Sequence, residues 1–424
     1  MIPIFRLLFA VATLCEALTL SAQTVVPPQV IREAQRLTLE EAIQLSLRWN
    51  PEIAKLDAVL ADKLGRAVEA EVKLNPAFKI TTAGAEVDSA AGEVEIEQPL
   101  RPSDFGLRRM YAVALRAATN LEQQAEVLRL LNETALIYYR AWAWEQRSTL
   151  LEGARAQADD ALETIRQQLE AGQSNVSQRH IFEAETARFA AELLGARGER
   201  AVAQSELQRS TGLATRELRL VSPSFGTLPT ARALAVFAEN RSGIRRIALA
   251  RREAAARSLR VARADAVFPE FAPGAISRFG GGRESEFGVT LAGRLPLWNR
   301  NQGEVARAKG ALEASDRELA SFDRVGLERS IGGRREQLLG LQARVRSFRD
   351  KVIPAYRAAY EATLTQFRAG QASSLQLFEV QKSLVEAQEK EFGYAMEALA
   401  ARTQLEQLVG GRLEEVPVTE RESK

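Results

Sequence analysis

One stretch of the sequence decides the fold: residues 103–171, which read SDFGLRRMYAVALRAATNLEQQAEVLRLLNETALIYYRAWAWEQRSTLLEGARAQADDALETIRQQLEA. The stretch contains no proline, and its two glycines, Gly106 and Gly153, only weaken a helix. A helix of about 67 residues is about 100 Å long, because each residue adds about 1.5 Å. No compact globular domain of this size accommodates such a helix, which must therefore pack along its length against other helices.

Apolar residues repeat along this stretch in two seams. The first seam alternates steps of four and three, the knobs-into-holes pattern of coiled coils. The second seam predicts neighbours on another side, as in a wall of helices curved into a tube. The seams are Leu107, Tyr111, Ala114, Ala118, Leu121, Ala125 and Leu128, and then Met110, Val113, Ala117, Val127, Leu131, Tyr138 and Ala141. Later in the chain, Phe378, Val385, Phe392 and Leu399 fall seven residues apart.

The chain contains an internal duplication with a spacing near 197 residues. Glu97-Gln98-Pro99-Leu100…Gly106 recurs as Arg294-Leu295-Pro296-Leu297…Gly303, and Ala171-Gly172-Gln173-Ser174 recurs as Ala369-Gly370-Gln371-Ala372. Leu207…Thr211-Gly212 recurs as Leu405…Val409-Gly410. We therefore expect two repeats, 37–222 and 229–411, joined by a linker at 223–228.

Each repeat predicts the same series of elements. A helix opens the first repeat with a capping box, Thr38 and Glu41, and Pro51 forces a kink or restart. Two extended segments with a turn between them follow, then a very long helix that ends at an Ala-Gly turn, then a returning helix. The extended segments are 78–87, 93–99, 270–279 and 285–295. The long helices run from about Ser103 to Ala171 and from about Gln302 to Ala369, the second without a strong breaker before Pro354.

The extended segments alternate between apolar and polar residues. Val94 and Ile96 oppose Glu93, Glu95 and Glu97. Such alternation along a strand is typical of a sheet whose two faces lie in different environments, such as lipid and water. It is equally typical of a half-buried hairpin on a soluble domain. Four strands cannot close a barrel, and an open sheet edge cannot face lipid. If the strands span a membrane, several chains must share one barrel, and three copies would supply twelve strands.

The N-terminal segment predicts export. Residues 1–22 have the pattern of a signal peptide, with a basic start, an apolar core and a small-residue cleavage site at Leu20-Ser21-Ala22. Lipidation of Cys15 is an alternative, although Leu14 is large for a lipobox. Beyond Ala22 we expect no transmembrane helix, an N-terminal segment at 23–36 and a C-terminal tail at 412–424.

Composition argues against several classes of function. The 424 residues carry a net charge of +2, and cations and acids alternate, so a nucleic-acid partner is not expected. One cysteine and one histidine cannot form an intrachain disulfide or an ordinary zinc site. With no nucleophile motif or phosphate loop either, we expect neither an enzyme nor a metal or other cofactor.

These features resemble the TolC family of outer-membrane efflux proteins over about residues 37–411. Leu37-Thr38-Leu39-Glu40-Glu41-Ala42-Ile43…Asn50-Pro51 is similar to the start that is characteristic of the family. The segment from Leu295 to Gly303, LPLWNRNQG, resembles the strand-to-helix junction of the CzcC-like subgroup, which serves heavy-metal or cation efflux. The resemblance implies a mostly α fold: duplicated long helical hairpins form an α-barrel, and four strands per chain contribute to a shared twelve-stranded trimeric outer-membrane β-barrel.

The resemblance also implies partners and a location. The chain would be a homotrimer in outer-membrane lipid with a periplasmic helical extension. It would pass substrate, with metal cations favoured through the LPLWNRNQG resemblance, from an inner-membrane RND pump through a periplasmic adaptor (membrane fusion protein), and the pump would supply the energy. A type I protein secretion channel, a drug efflux channel, a periplasmic adaptor and a coiled-coil scaffold stay open as alternatives.

Candidate site residues fall in three groups. The tips that would contact the adaptor are Gly172, Gln173, Gly370 and Gln371. The candidates for lining the pore are Gln178, Gln376 and Glu379 beside the tips and Glu93, Glu95 and Glu97 on the strands. The family often carries acidic rings near the tips, and here glutamines occupy two of these positions. The strand-to-helix junctions contain Pro99, Pro296, Trp298 and Gly303, and Trp298 suits a membrane interface.

Overall fold

The computed structural model describes residues 35–83, 91–172, 176–214, 218–223, 225–268, 270–280 and 283–416. The predicted signal peptide, Cys15, most of the N-terminal segment, Gln173 and the chain beyond residue 416 lie outside these ranges. Among the described helices, none is long and apolar enough to cross a lipid bilayer.

The same order of elements occurs twice. The first set is β1 (Gln35–Leu37), α1 (Leu39–Trp49), α2 (Pro51–Glu71), β2 (Ala77–Ala83), β3 (Ala91–Glu97), α3 (Leu107–Glu170), α4 (Val176–Thr211) and β4 (Leu218–Leu220). The second set is α5 (Ala231–Arg241), α6 (Gly243–Val267), β5 (Phe271–Gly280), β6 (Arg283–Gly293), α7 (Gln302–Ser321), α8 (Arg324–Ser347), α9 (Ile353–Arg368) and α10 (Ser374–Val409). The mostly helical fold with four alternating strands is confirmed.

Local sequence explains how each set begins. Thr38 and Glu41 form the predicted capping box, in which the side chain of each residue bonds to the backbone N–H of the other. Asn50 then ends α1 and caps α2, whose first residue is Pro51. Proline suits this position because the first helical N–H has no partner within the helix.

The prediction of one unbroken helix from Gln302 to Ala369 was wrong. The helix stops at Phe322, and Asp323 starts α8 by accepting a hydrogen bond of 2.6 Å from the backbone N–H of Gly326. Pro354, the expected breaker, does not interrupt the rod. The five residues Phe348–Val352 form a π-helical turn between α8 and α9. The wider turn relieves the clash between the proline ring and the preceding turn of helix.

Helix α3 is the axis of the molecule. Along its first half it packs against α2 and α6, where Arg116 binds Glu71 at 2.8 Å and Arg251 binds Glu122 at 2.8 Å. Along its second half it packs against α4 and α10. There the buried amide of Gln381 donates a 2.9 Å hydrogen bond to the carbonyl oxygen of Ala154. Most of the first seam is at least partly covered, whereas Met110, Val113 and Ala117 of the second seam are exposed in the single chain.

In the middle of the molecule, the two repeats use different contacts to hold their ends together. In the first, β1 and β4 form a short parallel pair, and the Tyr138 hydroxyl lies 2.8 Å from the carbonyl oxygen of Leu37 and 2.7 Å from that of Val221. In the second, buried Arg402 donates to the carbonyl oxygen of Phe225 at 3.1 Å and to Glu406 at 3.1 Å.

The guanidinium of Arg402 also pairs with Glu414, on the short 3₁₀ helix that follows α10. Burial raises the pKa of the Glu406 carboxyl, and the positive charge of Arg402 opposes that effect. One side chain therefore joins the linker, α10 and the C-terminal turn.

Two glycines with positive φ end the returning helices. Gly212 has φ +70° and Gly410 has φ +83°, the left-handed conformation that terminates a helix. Each also packs against the end of the first helix of its repeat: a Cβ on Gly212 would lie 2.7 Å from Cβ of Trp49, and one on Gly410 would lie 2.1 Å from the carbonyl oxygen of Arg241. The conformation and the close approach both require glycine.

We predict that Gly410→Ala destabilises the protein far more than Gly370→Ala. Gly370 has φ +73° but open space around its missing Cβ, so alanine there meets only the backbone strain, about 1 to 2 kcal/mol. At Gly410 the contact with Arg241 adds about 1 to 3 kcal/mol. Thermal unfolding of the detergent-solubilised protein, followed by circular dichroism, measures both. Equal shifts in the two midpoints would contradict the packing argument.

Candidate functional site

The four long strands form one antiparallel sheet in the order β2-β3-β5-β6. The register pairs Phe78 with Ile96, Ile96 with Ala275, and Ala275 with Val289. Directly paired residues lie on the same face of a sheet, so the register sorts every side chain to one of two faces. Strands β2 and β6 are the edges.

One face of the sheet is apolar and exposed within the single chain. Its large members are Phe78, Ile80, Val94, Ile96, Phe279, Phe287, Val289 and Leu291. Val289 is 85% exposed and Phe287 is 78% exposed. A contiguous patch of this kind on a stable protein normally contacts another molecule or a membrane.

The opposite face is charged. Its described charged side chains are Lys79, Glu93, Glu95, Glu97, Arg278 and Glu286, so four carboxylates against two cations leave a net charge of −2. Arg278 binds Glu93 at 2.8 Å, and Lys79 is the register partner of Glu95. The register partners of Glu97 are Ala77 and Gly274, which carry no charge. The structure therefore places the three predicted glutamates together on one face of β3.

The junction from β3 to α3 is held by a buried network. Asp265, at the end of α6, accepts hydrogen bonds from the backbone N–H and the hydroxyl of Ser103 at 3.1 and 2.9 Å. Arg108 completes the network with a bond of 2.9 Å to Asp265. Pro99 lies between the end of β3 and this network, as the sequence predicts. Asp265 is a residue that sequence reasoning missed, because its partners are far away in the chain.

The junction from β6 to α7 is exposed instead. Trp298 is 87% exposed, and β6 ends at Gly293, three residues before Pro296. Asn301 adopts a left-handed conformation, φ 57°, and donates a hydrogen bond of 3.2 Å to the carbonyl oxygen of Ala262 in α6. Helix α7 begins at Gln302, so Gly303 is its second residue.

The two helical hairpins end in similar turns. Gly172 and Gly370 both have positive φ, and the backbone N–H of each bonds to a carbonyl three residues earlier at 3.0 Å. At the second tip the N–H of Gln371 also bonds to the carbonyl oxygen of Gln366 at 2.8 Å. Gln173, at the first tip, lies outside the described residues. Contact of these tips with an adaptor stays a prediction.

Gln376 has a local role that the sequence reading missed. Ser373 and Gln376 form a capping box at the start of α10, with bonds of 2.9 Å from the Ser373 N–H to the Gln376 side chain and 3.2 Å in return. The signal was present in the pattern Ser-x-x-Gln after an Ala-Gly turn. Gln376 is exposed, and so is Glu379 one turn further along α10. The lining of a pore by Gln376 and Glu379 stays a prediction.

The two tips pack on each other. The rings of Phe182 and Phe367 stack with centroids 6.5 Å apart, and the Gln168 amide bonds to the carbonyl oxygen of Phe367 at 3.3 Å. Beside them, His180 is exposed and lies 3.1 Å from Glu183 on its own helix. The hairpins therefore contact each other through aromatic side chains close to their ends.

The described side chains include no group of three or more His, Cys, Asp or Glu placed to hold a metal ion. A cleft of about 480 Å³ opens beside Tyr139, between α1, the middle of α3 and the C-terminal turn. Burial raises the pKa of the Tyr139 hydroxyl to about 12, so that it stays neutral. The candidate functional surfaces are therefore the two faces of the sheet, the strand-to-helix junctions and the tips of the helical hairpins.

Long paired helices attached to a short two-faced sheet also occur in solved structures. VceC of Vibrio cholerae matches with a TM-score of 0.72 and 18% identity, over 88% of this chain and 96% of that one. CusC matches with a TM-score of 0.71 and 14% identity, over 88% and 92%. The open-state channel MtrE of Neisseria gonorrhoeae matches with a TM-score of 0.69 and 15% identity, over 88% and 89%.

The sequence comparisons match parts of the chain. Residues 238–411 match the family described as outer membrane efflux protein. The cobalt-zinc-cadmium resistance protein CzcC of Cupriavidus metallidurans is 28% identical over 123 residues, which is 29% of this chain and 29% of that protein. The resemblance read from the sequence is thereby confirmed, by sequence over residues 238–411 and by fold over the described residues.

We predict that Ser373→Ala loosens the second tip. The substitution removes the capping bond to the Gln376 N–H, which is worth about 1 kcal/mol. Hydrogen exchange at the first turn of α10 should therefore quicken by about fivefold in a full-length sample. Ser383→Ala is the matched control, since that hydroxyl donates only to the carbonyl oxygen of Glu379 within the helix. Unchanged exchange in Ser373→Ala would show that the capping box does not hold the tip.

Proposed function

We propose that this protein is the outer-membrane channel of a tripartite efflux system. It would pass substrate passively from an inner-membrane RND pump, which a periplasmic adaptor connects to the channel. The observation that carries the proposal is the sheet, with one exposed apolar face, one charged face and two open edges, fused to a helix of 64 residues. The family match over 238–411 supports the same function.

The geometry of the sheet favours an assembly of several copies. An apolar face suits lipid only if the backbone groups at both edges of the sheet are paired, because nothing in the hydrocarbon core can bond to them. Strand β6 of one copy can pair with β2 of the next, and three copies then supply twelve strands. The charged face would line the inside, and the helical hairpins would continue the tube below the membrane.

The two repeats, 37–222 and 229–411, are proposed as the units of this tube. Their tips, with Gly172 and Gly370, are proposed as the contact with the adaptor, since they are the ends of the hairpins farthest along the chain from the sheet. Gln178, Gln376 and Glu379, one or two turns inside these tips, are proposed to face the pore there.

Metal cations are the proposed substrate class. The relative CzcC is described as a cobalt-zinc-cadmium resistance protein, and the charged face of the sheet carries a net negative charge. Negative side chains around a narrow lumen raise the local concentration of cations. The ions would cross as cargo and would not remain bound.

The assembly is tested by crosslinking in intact outer membranes. An amine-reactive reagent should yield one product of three times the subunit mass, since the edges of the sheet are complete only in a closed ring. Samples unfolded in hot detergent before the reagent is added provide the control and should remain monomeric. A mature protein that is monomeric and soluble in water would overturn the proposal.

The charge of the lumen is tested by ion selectivity. Reconstituted channels should prefer cations, and the triple variant Glu93→Gln, Glu95→Gln and Glu97→Gln should reverse that preference. The variant changes the described charge on this face from −2 to +1, because three carboxylates are lost. Reversal potentials in a salt gradient across a planar bilayer give the result. Glu336→Gln, at an exposed position of α8, is the control. Anion-selective wild-type channels would refute the assignment of this face to the lumen.

A further inference from the structure

The segment between β6 and α7 has an exposed apolar surface that the channel function by itself does not explain. We define the junction loop as residues 294–301, Arg294-Leu295-Pro296-Leu297-Trp298-Asn299-Arg300-Asn301. Its three large apolar side chains project from the molecule, with Leu295 72% and Leu297 59% exposed beside the still more exposed Trp298. The corresponding segment before α3 instead buries Ser103 completely.

Several backbone groups of the junction loop are paired within the loop or with Gln302. The N–H of Leu297 bonds to the carbonyl oxygen of Leu295 at 2.9 Å, and the N–H of Arg300 bonds to the side chain of Gln302 at 2.7 Å. The N–H of Asn301 bonds to the Asn299 side chain at 3.0 Å, and the Gln302 amide bonds to the carbonyl oxygen of Trp298 at 3.3 Å. These local bonds hold the loop in a compact turn that presents its apolar side chains outward.

Two arginines bracket the apolar residues. Arg294 and Arg300 are exposed, and within the described ranges neither guanidinium forms an ion pair or a hydrogen bond. A nearby carboxylate, Glu304, already pairs with Arg307. The loop therefore combines an apolar tip with two cations available to an anionic partner. Arginine binds phosphate oxygens through two parallel N–H groups.

We propose that the junction loop is a phospholipid-binding surface. Leu295, Leu297 and Trp298 enter the boundary between headgroups and acyl chains of the membrane leaflet nearest α7, and Arg294 and Arg300 bind the phosphates of anionic phospholipids. The loop is continuous with the apolar face of β6, which ends one residue before Arg294. Tryptophan favours this boundary because its ring is apolar and its N–H is polar. The proposal rests on the proposed function, since it requires the sheet to be in a membrane.

This arrangement gives the two junctions of each chain different roles. The junction before α3 is tied to α6 by the Asp265 network, and the junction loop is tied to the same helix only by the bond from Asn301 to Ala262. The first junction fixes the sheet to the helices. The second fixes the sheet at a defined depth in the bilayer.

Tryptophan fluorescence tests the apolar contact. The full chain is reconstituted in lipid nanodiscs that contain phosphatidylcholine brominated near the headgroup end of its acyl chains. Wild type should be quenched, and Trp298→Phe should lose most of that quenching. Trp49→Phe is the control, because Trp49 is the last residue of α1, at the end of α2 that is farther along the chain from the sheet, and packs against Gly212. Quenching in Trp49→Phe should match wild type.

The lipid headgroup contact is tested with Arg294→Gln and Arg300→Gln. Phosphatidylglycerol is titrated into phosphatidylcholine nanodiscs while Trp298 emission is recorded. Each substitution should raise the phosphatidylglycerol fraction needed for the half-maximal change by about fivefold, since an arginine near an anionic surface contributes about that factor. Arg357→Gln, on α9 far along the chain from the sheet, should leave the titration unchanged.

The outcomes separate this proposal from the proposed function. Channels that conduct ions while Trp298 is not quenched by brominated lipid would overturn the lipid contact and leave the channel function standing. If Trp298 emission, taken as wild type minus Trp298→Phe, is blue-shifted and is quenched neither by brominated lipid nor by brominated detergent, the loop lies against a second protein surface, which would overturn the proposal too. A monomeric product without conductance would remove the channel function itself.

Discussion

The whole structure depends on one constraint: α3 has 64 residues and must bury apolar side chains along its entire length. A helix of that length cannot fold back on itself, so the burial has to come from other helices laid beside it. Different partners serve its two halves, α2 and α6 first, then α4 and α10. The hydrophobic core is consequently a column of separate clusters along the helix, and the sheet at one end and the tips at the other lie at the ends of that column.

Features with a local or periodic cause could be predicted from the sequence. The capping box at Thr38, the restart at Pro51 and the Ala-Gly turns at Gly172 and Gly370 each follow from a few neighbouring residues. The sheet was predictable because alternation along a strand fixes which side chains share a face, and the duplication supplied the same pattern twice. The alternation along β3 alone is enough to place Glu93, Glu95 and Glu97 on the same face of the sheet.

Features that depend on distant partners could not be predicted. Asp265 is one more acid on a charged helix until the fold brings Ser103 and Arg108 to it. Asp323 ends a helix where the sequence suggested continuation, because its capping bond to Gly326 competes with the helical pattern. Pro354 was expected to break the rod, but a wider turn accommodates it at Phe348–Val352. At both positions the backbone departs from a regular α-helix, and the spacing of apolar residues does not indicate where such departures occur.

Arg402 shows how the two repeats differ in the contacts that hold their ends together. The first repeat is sealed by main-chain hydrogen bonds between β1 and β4, which tolerate many side chains. The second is sealed by a single buried guanidinium that reaches the Phe225 carbonyl, Glu406 and Glu414 in different directions. Arg402 reaches these partners from three separate nitrogens, Nε, Nη1 and Nη2, whereas a lysine has a single nitrogen on a flexible stem and cannot span acceptors spread around that planar fork. The substitution Arg402→Lys would therefore weaken the connection between the linker and the C-terminal turn. Although the two repeats have the same order of elements, the second is more sensitive to a single substitution at its closing contact.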